Sequence, residues 1–322
     1  MPADFGYTLS SEEFGPGDLV ENAVRAESLG FDFCSLSDHY HPWTEAQGHS
    51  PFAWAVLGGI ARATSDVHLL TGVTCPIIRT HPAVIAQAAA TVSLLSDGRF
   101  SLGVGTGENL NEHIHGDRWP PPEERLAMLD EAIEILRELW SGETLDHDGE
   151  FYQVVNARVF DAPEHDLPII VSGFGEQAVE LAARIGDGLW TSGPDPTLID
   201  QFAAGGGEGP VYGQIHVCCG HDAEVCRKIV HEQWPNAAFP GQLAQELPTW
   251  THFEQVAQLV TPEVAAKDIP CGPDIQPILD AVGAYLEAGY TDVYFHQIGP
   301  DQDALFTMWE AELGDAVRAL AG

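Results

Sequence analysis

The chain alternates short apolar segments with longer segments in which apolar residues recur every three or four positions. The first pattern predicts buried strands, and the second predicts helices that bury one side. Strands are predicted at 4–9, 32–37, 67–74, 100–105, 167–172, 188–192, 211–219 and 291–298, and helices at 19–29, 51–63, 82–95, 121–140, 176–185, 223–234, 275–288 and 302–320. This alternation indicates a parallel sheet made of strand–helix units.

Two stretches interrupt the alternation. Residues 141–162 place aromatic residues and valines around Asp148-Gly149, which predicts a hairpin insertion. Residues 235–273 contain six prolines, and their length suits a lid or a wall over the mouth of a barrel. A chain of 322 residues fits one (β/α)8 barrel or two smaller domains. Because no linker and no repeat of fixed period is visible, a single domain covering 1–322 is predicted.

The balance of charge narrows the possible partners. The sequence has 49 acidic residues against 13 lysines and arginines, so its formal net charge is −36 at pH 7. Solubility does not require a charge of this size. At about 1 M salt the screening length falls to about 3 Å, which removes most of the mutual repulsion. We therefore hypothesise a halophilic protein in a salt-rich cytoplasm, for which nucleic acid and anionic membranes are poor partners.

Composition also bears on location and redox state. The sequence shows no charged leader followed by an apolar segment and no run of eighteen apolar residues, which predicts a soluble cytoplasmic protein. The six cysteines, at 34, 75, 218, 219, 226 and 271, show no Cys-x-x-Cys spacing. They are expected to be buried thiols rather than disulfides or metal ligands.

Ionisable groups follow two of the predicted strands. The apolar strand at 100–105 runs into a glycine-rich turn that carries Glu108, and the strand at 32–37 leads into Asp38 and His39. Both turns lie just past the carboxyl end of a strand, where α/β folds place their sites. Each group also has an ordinary structural explanation: Asp38 as a helix cap, His39 as a rim histidine with its hydrogen bonds satisfied, and Glu108 as a solvated loop charge.

The end of the third predicted strand has no ionisable side chain, but its backbone is of interest. In Thr71-Gly-Val-Thr-Cys-Pro76 a glycine precedes a valine where the strand stops. A bulge or strained peptide there would push backbone into the barrel mouth, whereas the alternative is an ordinary strand end. The Gly-x-Gly-x-Gly spacing at 103–107 lacks the downstream acid of a dinucleotide fingerprint.

Six sequence strings together resemble a known family. They are Ser37-Asp-His-Tyr-His-Pro-Trp43, His81-Pro-Ala-Val-Ile-Ala-Gln87, Leu102-Gly-Val-Gly-Thr-Gly-Glu-Asn-Leu-Asn-Glu112, Leu139-Trp-Ser-Gly142, Ala183-Arg-Ile-Gly-Asp-Gly188 and Thr191-Ser-Gly193. They resemble the luciferase-like (β/α)8 superfamily and, within it, the oxidoreductases that use the deazaflavin coenzyme F420. The resemblance is greatest to the F420-dependent glucose-6-phosphate dehydrogenases and spans nearly the whole chain. It implies a TIM barrel and F420-dependent oxidoreduction, commonly by a homodimer.

The resemblance also implies roles for individual residues. Around the reacting carbon it places His39, Trp43 and Glu108, with Glu12 at the rim and Thr191 among the substrate-binding residues. Contacts to coenzyme F420 are implied for Asp38, Gly72, Val73, Cys75, Thr106, Gly107, Asn111, Phe174, Gly175, Gln177 and Ala178. Cys75 stands where the family usually has a threonine. The family also has a non-proline cis peptide bond near Gly72-Val73.

One departure from the family concerns the substrate. The glucose-6-phosphate enzymes hold the sugar phosphate with two lysines and an arginine, and here the corresponding positions are Pro194, Gln255 and Asp268. Without those cations a phosphate dianion would meet an acidic wall, so glucose-6-phosphate is not the expected substrate. The coenzyme's own phosphate is a different case. Ser172-Gly-Phe-Gly175 leads into a helix N-terminus, whose free N–H groups hold phosphate without lysine.

The resulting hypothesis is hydride transfer between an alcohol or sugar-type CH–OH carbon and the deazaflavin. The substrate hydroxyl loses a proton and the coenzyme gains one, so two titratable groups are needed. We assign His39 to the hydroxyl and Glu108 to the coenzyme proton, although the two roles are exchangeable. Trp43 is expected to exclude water.

Four alternatives stay open at this point. The first is an FMN-dependent luciferase-like monooxygenase, and the second is an F420-dependent methylenetetrahydromethanopterin reductase. The third is a metal-dependent barrel hydrolase, since His39-x-His41 and His113-x-His115 have paired spacing. The fourth is a deazaflavin carrier without catalysis. No metal is expected in the favoured case.

Overall fold

A computed structural model describes residues 3–322, with strands that form a closed parallel barrel. In chain order the strands are β1 (Asp4–Leu9), β2 (Phe33–Leu36), β3 (His68–Thr71), β4 (Phe100–Val104), β5 (Leu145–Asp148), β6 (Gln153–Ala157), β7 (Ile169–Ser172), β8 (Gly188–Thr191), β9 (Val211–Cys219), β10 (Cys271–Gly272) and β11 (Asp292–Gln297). The barrel order is β1, β2, β3, β4, β7, β8, β9 and β11, and the pairing of β11 with β1 closes it. This confirms the predicted (β/α)8 TIM barrel.

Helices cover the outside of the barrel. They are α1 (Pro16–Ser28), α2 (Ala53–Ala63), α3 (Pro82–Leu95), α4 (Asn109–Glu112), α5 (Pro122–Trp140), α6 (Glu176–Ile185), α7 (Pro196–Ala204), α8 (Ala223–Gln233), α9 (Leu243–Glu246), α10 (Trp250–Ala257), α11 (Pro262–Ala265), α12 (Gln276–Ala288), α13 (Gln302–Met308) and α14 (Gly314–Leu320). Sequence reasoning missed α7, although its start signal is present: Pro196 opens it and Asp195 Oδ1 accepts a hydrogen bond from the N–H of Thr197 at 2.9 Å.

Two predicted elements differ in extent. The third strand ends at Thr71 rather than at residue 74, because the Gly72–Val73 peptide is cis and only Thr74 resumes a bridge to β4. The C-terminal helix is interrupted by a π-helical turn at Trp309–Leu313. The indole of Trp309 there stacks on Phe31 at a ring-centroid distance of 4.0 Å, which ties the chain end to the loop before β2.

The barrel interior is filled by aromatic and aliphatic side chains, namely Phe33, Leu70, Ile170, Trp190, Tyr212 and Tyr294. A larger core lies between the strands and the helices. All six cysteines are free thiols, five of them buried and Cys271 half-buried. None of the helices in residues 3–322 combines the length and the apolar composition that a membrane crossing requires.

The two irregular stretches have different structures. Strands β5 and β6 pair antiparallel as a hairpin within 141–162. Residues 235–273 contain the short helices α9, α10 and α11 and pack against the loops after β2 and β4. The Phe253 ring contacts Trp43 at a centroid distance of 5.1 Å, and Asn109 Nδ2 donates to the Glu246 carbonyl at 3.1 Å. This segment therefore forms a wall beside the loops that carry the candidate residues.

Candidate active site

His39 lies in the loop after β2, with a buried carboxylate behind it. Glu12 Oε1 lies 3.3 Å from His39 Nδ1, and the Glu12 side chain is only 3% exposed. Glu12 Oε2 accepts hydrogen bonds from Ser10 Oγ at 3.0 Å and from Ser37 Oγ at 2.7 Å. Glu12 is thus a buried residue of the turn after β1, and its expected place at the rim of the site stays a prediction. Since the two serines turn this carboxylate inward, it orients His39 and leaves Nε2 of the imidazole for a ligand.

Trp43 forms the neighbouring part of this loop. Its ring lies 4.9 Å from the His39 ring and 5.1 Å from Phe253, both as centroid distances. The backbone N–H of Trp43 donates to Gln47 Oε1 at 2.8 Å, which fixes the backbone of this loop. Phe253 is fully buried behind Trp43, so it supports the tryptophan and does not line an open pocket. Trp43 is thus held against His39. In this position its ring can exclude water from the imidazole.

Asp38 belongs to a buried charge network. Its carboxylate accepts hydrogen bonds from Arg79 Nη2 at 2.9 Å and from Thr74 Oγ1 at 2.8 Å. Arg79 also faces Glu112, whose Oε2 accepts the Arg79 backbone N–H at 2.7 Å. Burial raises the pKa of Glu112 to about 7, while Arg79 lowers it in opposition. The Asp38 side chain therefore supports the loop, and its expected contact with the coenzyme stays a prediction.

Arg79 and Glu112 were not among the residues selected from the sequence. A usable signal was present, because Arg79 follows the end of β3 and Glu112 follows the end of β4, the same placement that selected Asp38 and Glu108. Burial of the Arg79 guanidinium with two carboxylates fixes three barrel loops to one another.

Glu108 lies half-buried in the loop after β4 and is connected to the histidine loop through Asn111. Asn111 Nδ2 donates to Glu108 Oε2 at 3.3 Å, and Asn111 Oδ1 accepts the backbone N–H groups of Tyr40 at 2.9 Å and His41 at 3.1 Å. Asn111 is 1% exposed, so its amide is used within the protein. The structure thereby brings the His39 and Glu108 loops together at one end of the barrel.

Gly107 and Cys75 form the base of the same loop. Gly107 has a φ of +69°, and a Cβ at this position would lie 2.5 Å from Cys75 Sγ. Cys75 is 4% exposed, and burial raises the pKa of its thiol well above the ordinary value. The thiol is therefore a packing group beneath Gly107. Thr106 beside it is half-buried, and so are Gly72 and Val73, whose peptide bond is cis as the resemblance implied.

The start of α6 provides a different type of surface. Phe174, Gly175 and Gln177 are exposed, Ala178 is half-buried, and no side chain caps the helix. The N–H groups of its first turn are consequently available to a ligand. A Cβ at Gly175 would meet no atom within 4 Å, so the space above this helix end is open. The Phe174 ring contacts Trp190 edge to face at 5.5 Å.

Two residues at the end of β8 are buried. Thr191 is fully buried at the end of β8, and its expected contact with a substrate stays a prediction. Trp190 is 8% exposed and donates from Nε1 to the Tyr294 hydroxyl at 2.5 Å inside the barrel. Trp190 belongs to the interior of the barrel, whereas Thr191, the next residue of the strand, lies on the opposite face.

The paired histidines do not assemble a metal centre. Nδ1 of His41 contacts the Leu110 carbonyl at 3.0 Å, Nδ1 of His113 contacts that of Asn109 at 2.7 Å, and Nε2 of His115 contacts that of Arg79 at 3.1 Å. Within residues 3–322 no three His, Cys, Asp or Glu side chains are grouped as metal ligands. The spacing that suggested a hydrolase thus serves to fix loops.

Comparison with known proteins identifies the family. A family model described as luciferase-like monooxygenase matches residues 1–292. The chain belongs to the luciferase-like family. A relative in Amycolatopsis mediterranei, named F420-dependent glucose-6-phosphate dehydrogenase, is 35% identical over 98% of this chain and 98% of its own length. The relative of the same name in Kribbella flavida is 35% identical over 99% of this chain and 100% of its own.

Solved structures extend the comparison. An F420-dependent secondary alcohol dehydrogenase, in complex with an F420–acetone adduct, superposes with a TM-score of 0.90 at 28% identity, covering 98% of this chain and 99% of that one. The F420-dependent tetrahydromethanopterin reductase of Methanopyrus kandleri superposes with a TM-score of 0.74 at 20% identity, covering 98% and 99%. The second likeness shows the fold alone.

Proposed function

We propose that this luciferase-like protein is an F420-dependent oxidoreductase that acts on the CH–OH group of a neutral alcohol or sugar-type substrate. The observation that carries the proposal is the pairing of Glu12 with His39 at the barrel end where Asn111 holds Glu108. The F420-dependent dehydrogenases among its relatives agree with this chemistry.

The residues divide the proton transfers between them. Bound F420 supplies the site that accepts or gives up the hydride. His39 takes the proton of the substrate hydroxyl at Nε2, because Nδ1 faces Glu12. The Glu12 carboxylate stabilises the positive charge that the imidazole then carries. Glu108 handles the proton of the coenzyme ring, and Trp43 shields His39 from water.

The residues present fit an anionic deazaflavin. The uncapped N-terminus of α6 and the open space at Gly175 can hold a phosphate through backbone N–H groups. The half-buried Gly72–Val73 and Thr106–Gly107 segments offer backbone to a flat ring. These features need no lysine, which suits a chain that has only Lys228 and Lys267.

Glucose-6-phosphate is excluded from this proposal. Pro194, Gln255 and Asp268 are exposed and supply no cation for a phosphate group. Lys267 is adjacent to Asp268 along the chain, so even this cation is next to a carboxylate. A charge-assisted hydrogen bond contributes about 1.5–3 kcal/mol, and three such partners of the phosphate are missing here.

The test is a binding titration followed by a substrate screen. We expect saturable binding of F420 in preference to FMN, and loss of deazaflavin absorbance with one or more secondary alcohols or unphosphorylated sugars. Glucose-6-phosphate should give no absorbance loss above the control without substrate. Binding of FMN in place of F420 would indicate a flavin monooxygenase and reject the proposal.

We also propose the setting in which the enzyme works. The net charge of −36 fits a salt-rich cytoplasm, where repulsion of the anionic coenzyme is screened. A homodimer is proposed by analogy with the family. Sedimentation in high salt tests the dimer, because a monomer mass there would exclude it.

A further inference from the structure

The turn after β1 contains two consecutive buried carboxylates, and each contacts an imidazole. Glu12 faces His39, as described above, whereas Glu13 faces the other side of the barrel mouth. Glu13 Oε2 lies 2.6 Å from His296 Nε2, and Glu13 Oε1 accepts the N–H of Gly299 at 2.8 Å. His296 Nδ1 in turn lies 2.8 Å from His216 Nδ1. Glu13, His296 and His216 therefore form a continuous hydrogen-bonded chain that the proposed mechanism does not use.

The strand register shows where this chain points. His296 on β11 pairs with His216 on β9, and side chains two residues apart share one face of a strand. Tyr294 and Tyr212 lie on that same face and pack inside the barrel. The two imidazoles are thus directed into the barrel, closer to the carboxyl ends of the strands than the tyrosines are. This is the end of the barrel at which His39 and Glu108 lie.

His216 is the more exposed end of this hydrogen-bonded chain of side chains. His296 is 1% exposed, whereas His216 is half-buried, and its Nε2 has no hydrogen-bond partner among residues 3–322. Burial and the neighbouring His296 lower the pKa of His216 to about 3, so this ring is neutral at pH 7. A neutral imidazole has one N–H and one acceptor nitrogen.

The state of His296 decides the character of the free nitrogen. Glu13 is a carboxylate acceptor, so His296 donates to it from Nε2. A neutral His296 accepts from His216 Nδ1 and leaves His216 Nε2 as an acceptor, whereas a protonated His296 donates to His216 Nδ1 and leaves Nε2 as an N–H donor. A hydroxyl group both donates and accepts, so it pairs with His216 Nε2 in either state. The indole of Trp234, 5.9 Å from the His216 ring, adds an apolar side to the position.

We propose that His216 Nε2 binds a second hydroxyl group of the substrate, so that the preferred substrate is a neutral diol, polyol or unphosphorylated sugar. This inference rests on the proposed F420-dependent oxidation at His39. His296 and Glu13 are positioning residues that set the orientation and the tautomer of His216. Glu12 and Glu13 are adjacent in the turn after β1, so the same turn anchors His39 and the His296–His216 pair.

The test compares 2,3-butanediol with 2-butanol as substrates, since they differ by one hydroxyl group. We expect the wild-type enzyme to have the higher kcat/KM for the diol. In His216→Phe, kcat/KM for the diol should fall roughly 10- to 100-fold, as expected when a hydroxyl loses its only partner. The value for 2-butanol should stay within about twofold. His216→Gln, which restores an acceptor oxygen, should recover part of the loss.

Controls separate binding from folding. His221→Phe makes the same replacement at an exposed histidine after β9 and should leave both substrates unaffected. Glu13→Gln keeps His216 in place but removes the carboxylate, so it should lower kcat/KM for the diol selectively and by less than His216→Phe. If His216→Phe does not fold, His216→Gln and Glu13→Gln decide by the same criterion, with the melting temperature and the F420 dissociation constant as checks.

Two results would overturn the inference. One is a wild-type enzyme that turns over 2-butanol at least as well as the diol, and the other is an equal loss for both substrates in the folded variants. A wild-type protein that binds no F420 and oxidises neither alcohol is a different result, because it removes the proposed function itself.

Discussion

Replacing Glu12 by glutamine tests how the structure prepares His39. Glutamine has nearly the same shape, so its amide oxygen keeps the hydrogen bonds from Ser10 and Ser37. Its amide N–H2 then faces His39 Nδ1 in place of a carboxylate oxygen. The variant therefore loses the negative charge behind the imidazole and favours the tautomer with the proton on Nε2, which cannot accept a proton from the substrate.

The distance between Glu12 and His39 sets the expected loss of kcat in this variant. At the 3.3 Å between Glu12 Oε1 and His39 Nδ1, a full charge pair interacts by about 5 kcal/mol at an effective dielectric constant of about 20, an upper bound. His39 Nδ1 is buried without a well-aligned hydrogen bond, so the contact acts mainly through charge. Charged partners in proteins typically contribute about 1.5–3 kcal/mol. The expected fall in kcat is about 10- to 160-fold.

The assay is steady-state kinetics with F420 and the best alcohol from the screen. We expect kcat to fall with little change in the F420 dissociation constant, and Glu12→Asp to show a smaller loss because it keeps the charge at a longer distance. Glu27→Gln is the matched control: Glu27 Oε1 accepts the N–H groups of residues 65–67 at the opposite end of the barrel, so this change should lower stability and spare kcat. Unchanged kcat in folded Glu12→Gln would refute the reasoning.

Three further predictions concern stability. Arg79→Ala leaves the Asp38 and Glu112 carboxylates unpaired, and urea unfolding should show a loss of about 3–5 kcal/mol, whereas a loss under about 1 kcal/mol would contradict the buried network. Burial raises the pKa of Asp292 to about 7, so the folded state holds this proton more tightly than the unfolded state, and stability is lost as the pH rises toward 7. Asp292→Asn should therefore gain melting temperature over the wild type between pH 5 and pH 7 and keep that gain at pH 8; a gain independent of pH would contradict this cause. Finally, the wild-type melting temperature should rise steeply between about 0.01 M and 1 M NaCl, where the screening length falls from about 30 Å to 3 Å, and a flat dependence would reject the halophile hypothesis.

Much of the fold was accessible from local pattern. The eight barrel strands are buried on both sides, so they appear as short apolar runs that alternate with helical periodicity. Helix α7 was missed because Gly205 to Gly207 directly follow it and conceal its short apolar pattern, although Asp195 marks its start. The end of β3 was placed three residues too late, because the peptide geometry at Gly72 is a property of the folded loop and not of hydrophobicity.

Sequence alone predicts a site residue where its position after a strand determines its place at the carboxyl end of the barrel. His39 and Glu108 were found because each follows a strand at the carboxyl end of the barrel. The direction of a side chain is a different matter, since Thr191 lies in one of the matching strings and is fully buried, and two serines turn Glu12 inward. His216 and His296 meet through the register of β9 against β11, and Glu13 contacts His296 from the turn after β1. Residues 80 or more positions apart carry no local signal of contact.

The central claim is that His39 performs the proton transfer beside a bound deazaflavin. The most direct measurement is F420 binding and substrate-driven absorbance loss in wild-type protein and in His39→Ala. The account predicts the same F420 dissociation constant for both proteins and turnover by the wild type only. Retained turnover in His39→Ala, or the absence of F420 binding in the wild type, would contradict it.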